Sequence, residues 1–119
     1  MIGLAGPNDA VMFDIDDTLI WTSGQPNVPI IQLLYKMKAL GYKIIIITAR
    51  PGIEIGIKWT IKQLKEYGIM YDYLGFTSAQ TKTIMKKKLG YNFVLSVGDM
   101  PTDWTDSKYY INTSSSYHN

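Results

Sequence analysis

The sequence predicts an α/β fold, a three-layer α/β/α sandwich built around a mainly parallel sheet. Three observations lead there. Short apolar, β-branched runs alternate along the chain with segments whose apolar residues recur at helical spacing, the pattern of strand–helix–strand units. One run, Lys43-Ile44-Ile45-Ile46-Ile47-Thr48, is apolar on both faces, as a central parallel strand covered from both sides must be. Glycines at 41, 68 and 90 close the helical segments where C-terminal caps belong.

The elements follow in order. Residues 1–9, with Gly3, Gly6 and Pro7, read as a leader, and the first strand covers about 10–14 in the run Val11-Met12-Phe13-Asp14. Residues 15–28 form a loop broken by Gly24, Pro26 and Asn27. Pro29 suits the first turn of a helix whose apolar stripe is Ile30, Leu33, Leu34, Met37 and Leu40. The second strand ends at Thr48. After Pro51-Gly52, Ile53, Ile57, Ile61 and Leu64 mark the packed face of a second helix, with Lys58, Lys62 and Lys65 on its solvated face and Trp59 read as helix packing. A third strand is expected over 71–76. Thr77 and Gln80 have the spacing of a capping box for a helix running to about Leu89, on which Lys86, Lys87 and Lys88 read as surface charge. A fourth strand over 93–97 ends in Gly98-Asp99, an edge strand is expected over 109–112, and the Ser-rich tail is expected to fray.

With 119 residues, 46% hydrophobic and 18% charged, the chain is sized for one core, so a single domain over 1–119 is expected. A formal charge of +2 gives little support for binding through a basic face. The absence of cysteine excludes disulfides and thiolate metal sites, which leaves oxygen ligands or the lone His118. His118 itself is assigned no catalytic role. The N-terminal residues lack the pattern of a signal peptide and no apolar run approaches the ~18 residues of a membrane span, so a cytoplasmic location is the default expectation.

Functional groups in such a fold gather at the carboxyl ends of the strands. There the sequence places Asp14, Asp16 and Asp17 after the first strand, Thr48 at the end of the second and Asp99 at the end of the fourth, with Lys82 entering from the opening turn of the third helix. Three clustered carboxylates repel one another unless offset, and a hard divalent cation is the usual offset. This set fits metal-assisted phosphoryl transfer. Asp14 can attack phosphorus as a nucleophile, and Asp16 can protonate the leaving oxygen and then deprotonate water. Asp14 and Asp99 would hold magnesium, while Thr48 and Lys82 bind phosphoryl oxygens.

The motifs DIDDTL at 14–19, IIIITAR ending near Thr48 and Arg50, Lys82, and GDMPTD at 98–103 together resemble the four motifs of the haloacid dehalogenase superfamily of phosphatases. The resemblance spans nearly the whole chain and implies a Rossmann-like sheet of that family's type. It implies Asp14 as nucleophile, Asp16 as acid/base with its backbone carbonyl joining Asp14 and Asp99 on the Mg2+, and Asp103 orienting Lys82 or a metal-bound water. Too few residues separate the motifs for the family's inserted cap domain, so a capless member is expected. The stretches from Lys43 to Pro51 and from Gly90 to Asp99 are similar to the acid-phosphatase-like and polynucleotide-phosphatase-like branches.

The implied partner is a phosphorylated substrate: a nucleotide, a nucleic-acid end, a phosphoprotein or a small metabolite. No membrane partner is expected, and a homo-oligomer in which a neighbour covers the entrance stays open. Arg50, the only arginine, is placed either to bind phosphate or to form a surface ion pair. Trp21 is placed either to stack on a base or to cover a core edge; Trp104 carries the same two readings, and Asp106 reads as a cap or turn residue. Two alternatives come from other classes. A phospho-acceptor receiver module shares the length and residue types, but its order of Asp, Thr and Lys differs from this one. A non-catalytic phosphate-binding relative would be favoured by loss of Asp14, Asp16 or Asp99, all of which are present.

Overall fold

Ile44 to Ile47 are fully buried, and so are Ala10 to Phe13 beside them, because both strands are sandwiched between helices on the two faces of the sheet. The computed structural model describes residues 3–114. In order these form β1 (Asp9–Phe13), α1 (Val28–Ala39), β2 (Lys43–Thr48), α2 (Glu54–Glu66), β3 (Tyr73–Phe76), α3 (Lys82–Leu89), β4 (Asn92–Gly98), α4 (Pro101–Trp104) and β5 (Tyr109–Asn112), with a 3-10 turn over Ala79–Thr81. His118 and the tail beyond Ser114 lie outside the described residues.

The five strands pair in parallel in the order β3-β2-β1-β4-β5. Alternate side chains of each strand enter opposite cores. Val11, Phe13, Ile44 and Ile46 pack against Ile31, Leu34 and Met37 of α1 and Leu64 of α2. Ala10, Met12, Ile45 and Ile47 face the other way, toward Met85 and Leu89 of α3. The result is the expected three-layer α/β/α sandwich with a Rossmann-like sheet, parallel throughout. No further domain interrupts it among the described residues. No described helix is long and apolar enough to cross a membrane.

The chain steps outward from β1 through β2 to β3, then returns to the other side of β1 for β4 and β5. The order therefore reverses between β1 and β4, the position at which open α/β sheets place their ligand sites. Asp14 sits at that point, its N–H donating to Val97 O at 2.9 Å.

Several expectations are corrected by local chemistry. β3 begins at Tyr73 rather than Tyr71, because Asp72 bonds Ile44 through both its amide and its carboxylate, the latter at 2.8 Å. The residues ahead of α3 form a 3-10 turn rather than a capping box, since the hydroxyls of Thr77, Ser78 and Thr81 bond one another. On α2 the fully buried residues are Thr60 and Leu64, while Ile53 and Ile61 are exposed. Arg50 causes this rotation: its Nη1 donates to Gln63 Oε1 at 2.7 Å and Thr60 Oγ1 at 3.4 Å, drawing that face inward. Trp59 is consequently an exposed side chain rather than core packing.

Candidate active site

A buried ionic cluster lies at the carboxyl ends of β1 and β4. Asp14 leaves the end of β1, Lys82 descends from the first turn of α3, and Asp103 rises from the short α4 that follows β4. Lys82 Nζ donates to Asp14 Oδ1 at 2.8 Å and to Asp103 Oδ1 at 2.8 Å. The other Asp103 oxygen accepts the Met100 N–H at 3.1 Å, which fixes the carboxylate at the start of α4. All three side chains are buried, so neither the ammonium nor the carboxylates rely on bulk water for compensation.

Asp99 completes the group. Carboxylate oxygens of Asp14, Asp99 and Asp103 lie within 4.8 Å of one another, a donor set of hard oxygens that can hold a metal ion. Burial, reinforced by the charge of Asp103 and the closeness of Asp99 against the opposing pull of Lys82, pushes Asp14 up to about 8. For Lys82, burial disfavours the ammonium, but Asp14 and Asp103 together outweigh it and raise its pKa. A divalent cation beside Asp14 and Asp99 would relieve the same repulsion, so the residues present fit a metal.

Asp16 and Arg50 form a second, outer cluster. The Asp16 carboxylate accepts from Arg50 Nη2 at 2.8 Å and Nε at 3.0 Å, and Arg50's backbone N–H donates to Thr48 Oγ1 at 3.1 Å. Thr48, fully buried at the end of β2, thus links strand and outer cluster. All three guanidinium nitrogens are engaged with Asp16, Thr60 and Gln63, and the Trp59 ring lies 5.1 Å from the guanidinium carbon. Asp17 faces away from both clusters: with a left-handed φ of 58°, it accepts the Thr22 N–H and hydroxyl and so holds the loop after β1. The loop's tip is tied down by the Tyr67 hydroxyl, which donates to Gly24 O.

Other expected residues find structural places. The Trp104 indole N–H donates to Gly98 O at 2.9 Å while its ring stacks on Tyr110, and Asp106 occupies a turn at φ 59°. Lys86 is a correction. It is buried rather than a surface charge, its Nζ donating to Ser96 Oγ, Asp103 O, Thr105 O and Ser107 Oγ, while burial lowers its pKa to about 8. It steadies the Asp103 segment from below, whereas Lys82 is the lysine that reaches Asp14. Gly98 also has a role that its motif alone does not disclose: a Cβ there would overlap the Asp103 side chain.

A cavity of about 470 Å³ between β3 and α3 contains none of the acidic residues. A cleft of about 330 Å³ opens directly on Asp16 and Arg50.

No family model and no curated protein matches the sequence. Solved structures do resemble the fold. One is a chain of the Pnkp1/Rnl/Hen1 complex, 26% identical over 80% of this chain and 40% of its own length, with a TM-score of 0.66. Another is a chain of the Pnkp1/Rnl/Hen1 RNA repair complex, 26% identical over 80% of this chain and 37% of its own, with a TM-score of 0.65. The present chain therefore spans about 40% of the length of the first of these.

Proposed function

We propose that this chain is a Mg2+-dependent phosphomonoester hydrolase working through an aspartyl-phosphate on Asp14. The observation that carries the reading is Lys82 bridging Asp14 and Asp103 at 2.8 Å each, beside Asp99, where the strand order reverses. Attack requires the ionised carboxylate, which Lys82 favours against the burial that raises the Asp14 pKa, and which a cation on the same oxygens would favour further. The resemblance to the haloacid dehalogenase phosphatases supports the same assignment. Residues 1–119 would then make up one capless domain of that kind.

In the first step an Asp14 oxygen bonds to phosphorus, and the bond from phosphorus to the leaving oxygen breaks as Asp16 supplies that oxygen with a proton. In the second, water attacks the phosphorus, Asp16 takes its proton, and the bond to Asp14 breaks, releasing inorganic phosphate. Lys82 and Thr48 would bind phosphoryl oxygens, while Arg50, bonded to Asp16, Thr60 and Gln63, would position Asp16. Asp14 and Asp99, with the Asp16 carbonyl, would hold the Mg2+, and the reach of the Asp103 carboxylate makes it a further candidate ligand. When bound, the cation neutralises phosphate charge. The likeness to chains of an RNA repair complex favours a phosphorylated nucleic-acid end among the substrate classes.

Phosphate release from an aryl phosphate and from a phosphorylated oligonucleotide, with and without Mg2+, tests the reading in wild type and Asp14→Asn. Expected are Mg2+-dependent release by wild type, reversible silencing by EDTA, and loss of more than about a thousandfold in the folded variant. Release that survives both EDTA and Asp14→Asn would overturn the mechanism. Binding without release would instead mark a phosphate-binding module.

A further inference from the structure

We propose that the cleft beside Asp16 is a nucleobase site that recognises the leaving group of the reaction, with Trp59 and Trp21 as its stacking surfaces. The inference rests on the phosphatase reading for the position of the scissile phosphate. A group that protonates a leaving oxygen must stand within hydrogen-bond reach of it. The body of the leaving group therefore lies next to Asp16, and the cleft of about 330 Å³ opens there.

The lining suits a flat heterocycle. Trp21 and Trp59 bring two indoles to the cleft. Trp59 is 59% exposed although the Arg50 guanidinium lies over its ring, so a large aromatic surface is held in place by a cation and still presented to solvent. Exposed tryptophan fixed in this way is a stacking platform for bases, which all carry a π-face. The rim adds polar groups: Gln63, whose oxygen accepts from Arg50, and Thr22. The Gln63 amide nitrogen as donor and the Thr22 hydroxyl oxygen as acceptor can answer the edge of a base, which an aliphatic chain cannot use. The cleft is also preformed. Tyr67 and Asp17 tie down its loop wall, and Arg50 bonds to Thr60 and Gln63 fix its helical wall.

The test compares two oligoribonucleotides that end in the same phosphorylated ribose, one with its terminal base and one abasic. Wild type is expected to prefer the base-bearing end by about tenfold or more in kcat/KM, the effect of one base–aromatic stack. In Trp59→Ala that preference should collapse toward unity, and Trp59→Phe should restore part of it. The ratio isolates base recognition from any general change in turnover. Equal wild-type turnover of the two ends, or a preference unchanged in Trp59→Ala, would overturn the nucleobase site while leaving the phosphatase reading intact. If wild type releases phosphate from neither, the phosphatase reading fails, and fluorescence anisotropy with the same pair decides the cleft. Tighter binding of the base-bearing end, lost in Trp59→Ala, supports it; equal binding overturns it.

Discussion

Arg50 clasps Asp16 with a two-pronged bond, Nη2 to Oδ1 at 2.8 Å and Nε to Oδ2 at 3.0 Å. The guanidinium is nearly buried and anchored to α2 by Thr60 and Gln63, while the Asp16 carboxylate is about half exposed. A fixed cation thus positions a loop carboxylate. Lysine keeps the charge but cannot supply the planar fork. Arg50→Lys is therefore expected to lower kcat about tenfold while shifting KM little, through poorer placement of the acid/base. Steady-state kinetics on a phosphomonoester separate the two parameters. A large rise in KM at constant kcat would instead assign Arg50 to substrate binding.

Metal binding should depend on pH in a direction set by Asp14. Its pKa is raised to about 8, and a cation binds only the deprotonated form, so protons and Mg2+ compete for it. Apparent Mg2+ affinity is expected to rise about tenfold per pH unit up to about pH 8 and to level off above it. The same shift carries a sign for stability. A carboxylate whose folded pKa lies above its unfolded value of 3.8 stabilises the fold at low pH, and that contribution is lost as pH rises toward 8. Calorimetric titration of Mg2+ across this range checks the first statement, and denaturant melts with EDTA or Mg2+ check the second. An affinity that does not change with pH would show that Asp14 is not a ligand.

Lys82 holds two buried carboxylates together. In Lys82→Met, Asp14 and Asp103 would face each other without a cation, and breaking a buried ion pair in this way costs about 3–5 kcal/mol. Added Mg2+ should recover part of that loss, because it supplies positive charge to the same oxygens. Urea melts of the variant with and without Mg2+ measure both effects. Unchanged stability without the metal would mean that the carboxylates take up protons at little cost.

Much of this arrangement was legible in the sequence because its signals are local. The isoleucines of β2 can be apolar on both faces only if helices cover both, and acids directly after β1 and β4 fall at strand ends wherever the strands sit in the sheet. Three features are not carried by such signals. Lys86 stands in a run of lysines that resembles solvated surface, yet it is buried. The available signal was Ser96, a polar residue inside the apolar β4, whose buried hydroxyl needs a partner and finds Lys86 at 2.8 Å. The rotation of α2 follows from Arg50 bonding to Thr60 and Gln63, which helical periodicity does not encode. The division of DIDDTL into a buried Asp14, an outer Asp16 and a structural Asp17 depends on backbone that turns left-handed at Asp17.

Gly98 tests how tightly the inner cluster is built. Its backbone passes so close to the Asp103 carboxylate that a β-carbon would overlap it, while Asp103 is held from the other side by Lys82 and the Met100 N–H. Gly98→Ala must therefore push Asp103 away from one of these partners. Overpacking of this kind costs about 1–3 kcal/mol. Turnover should fall further than the stability loss explains, because displacing Asp103 also shifts the ammonium that Asp14 depends on. Assay well below the melting temperature, beside a denaturant melt, separates the two effects. A variant that is destabilised but fully active would show that Asp103 is needed for folding and not for the placement of Lys82.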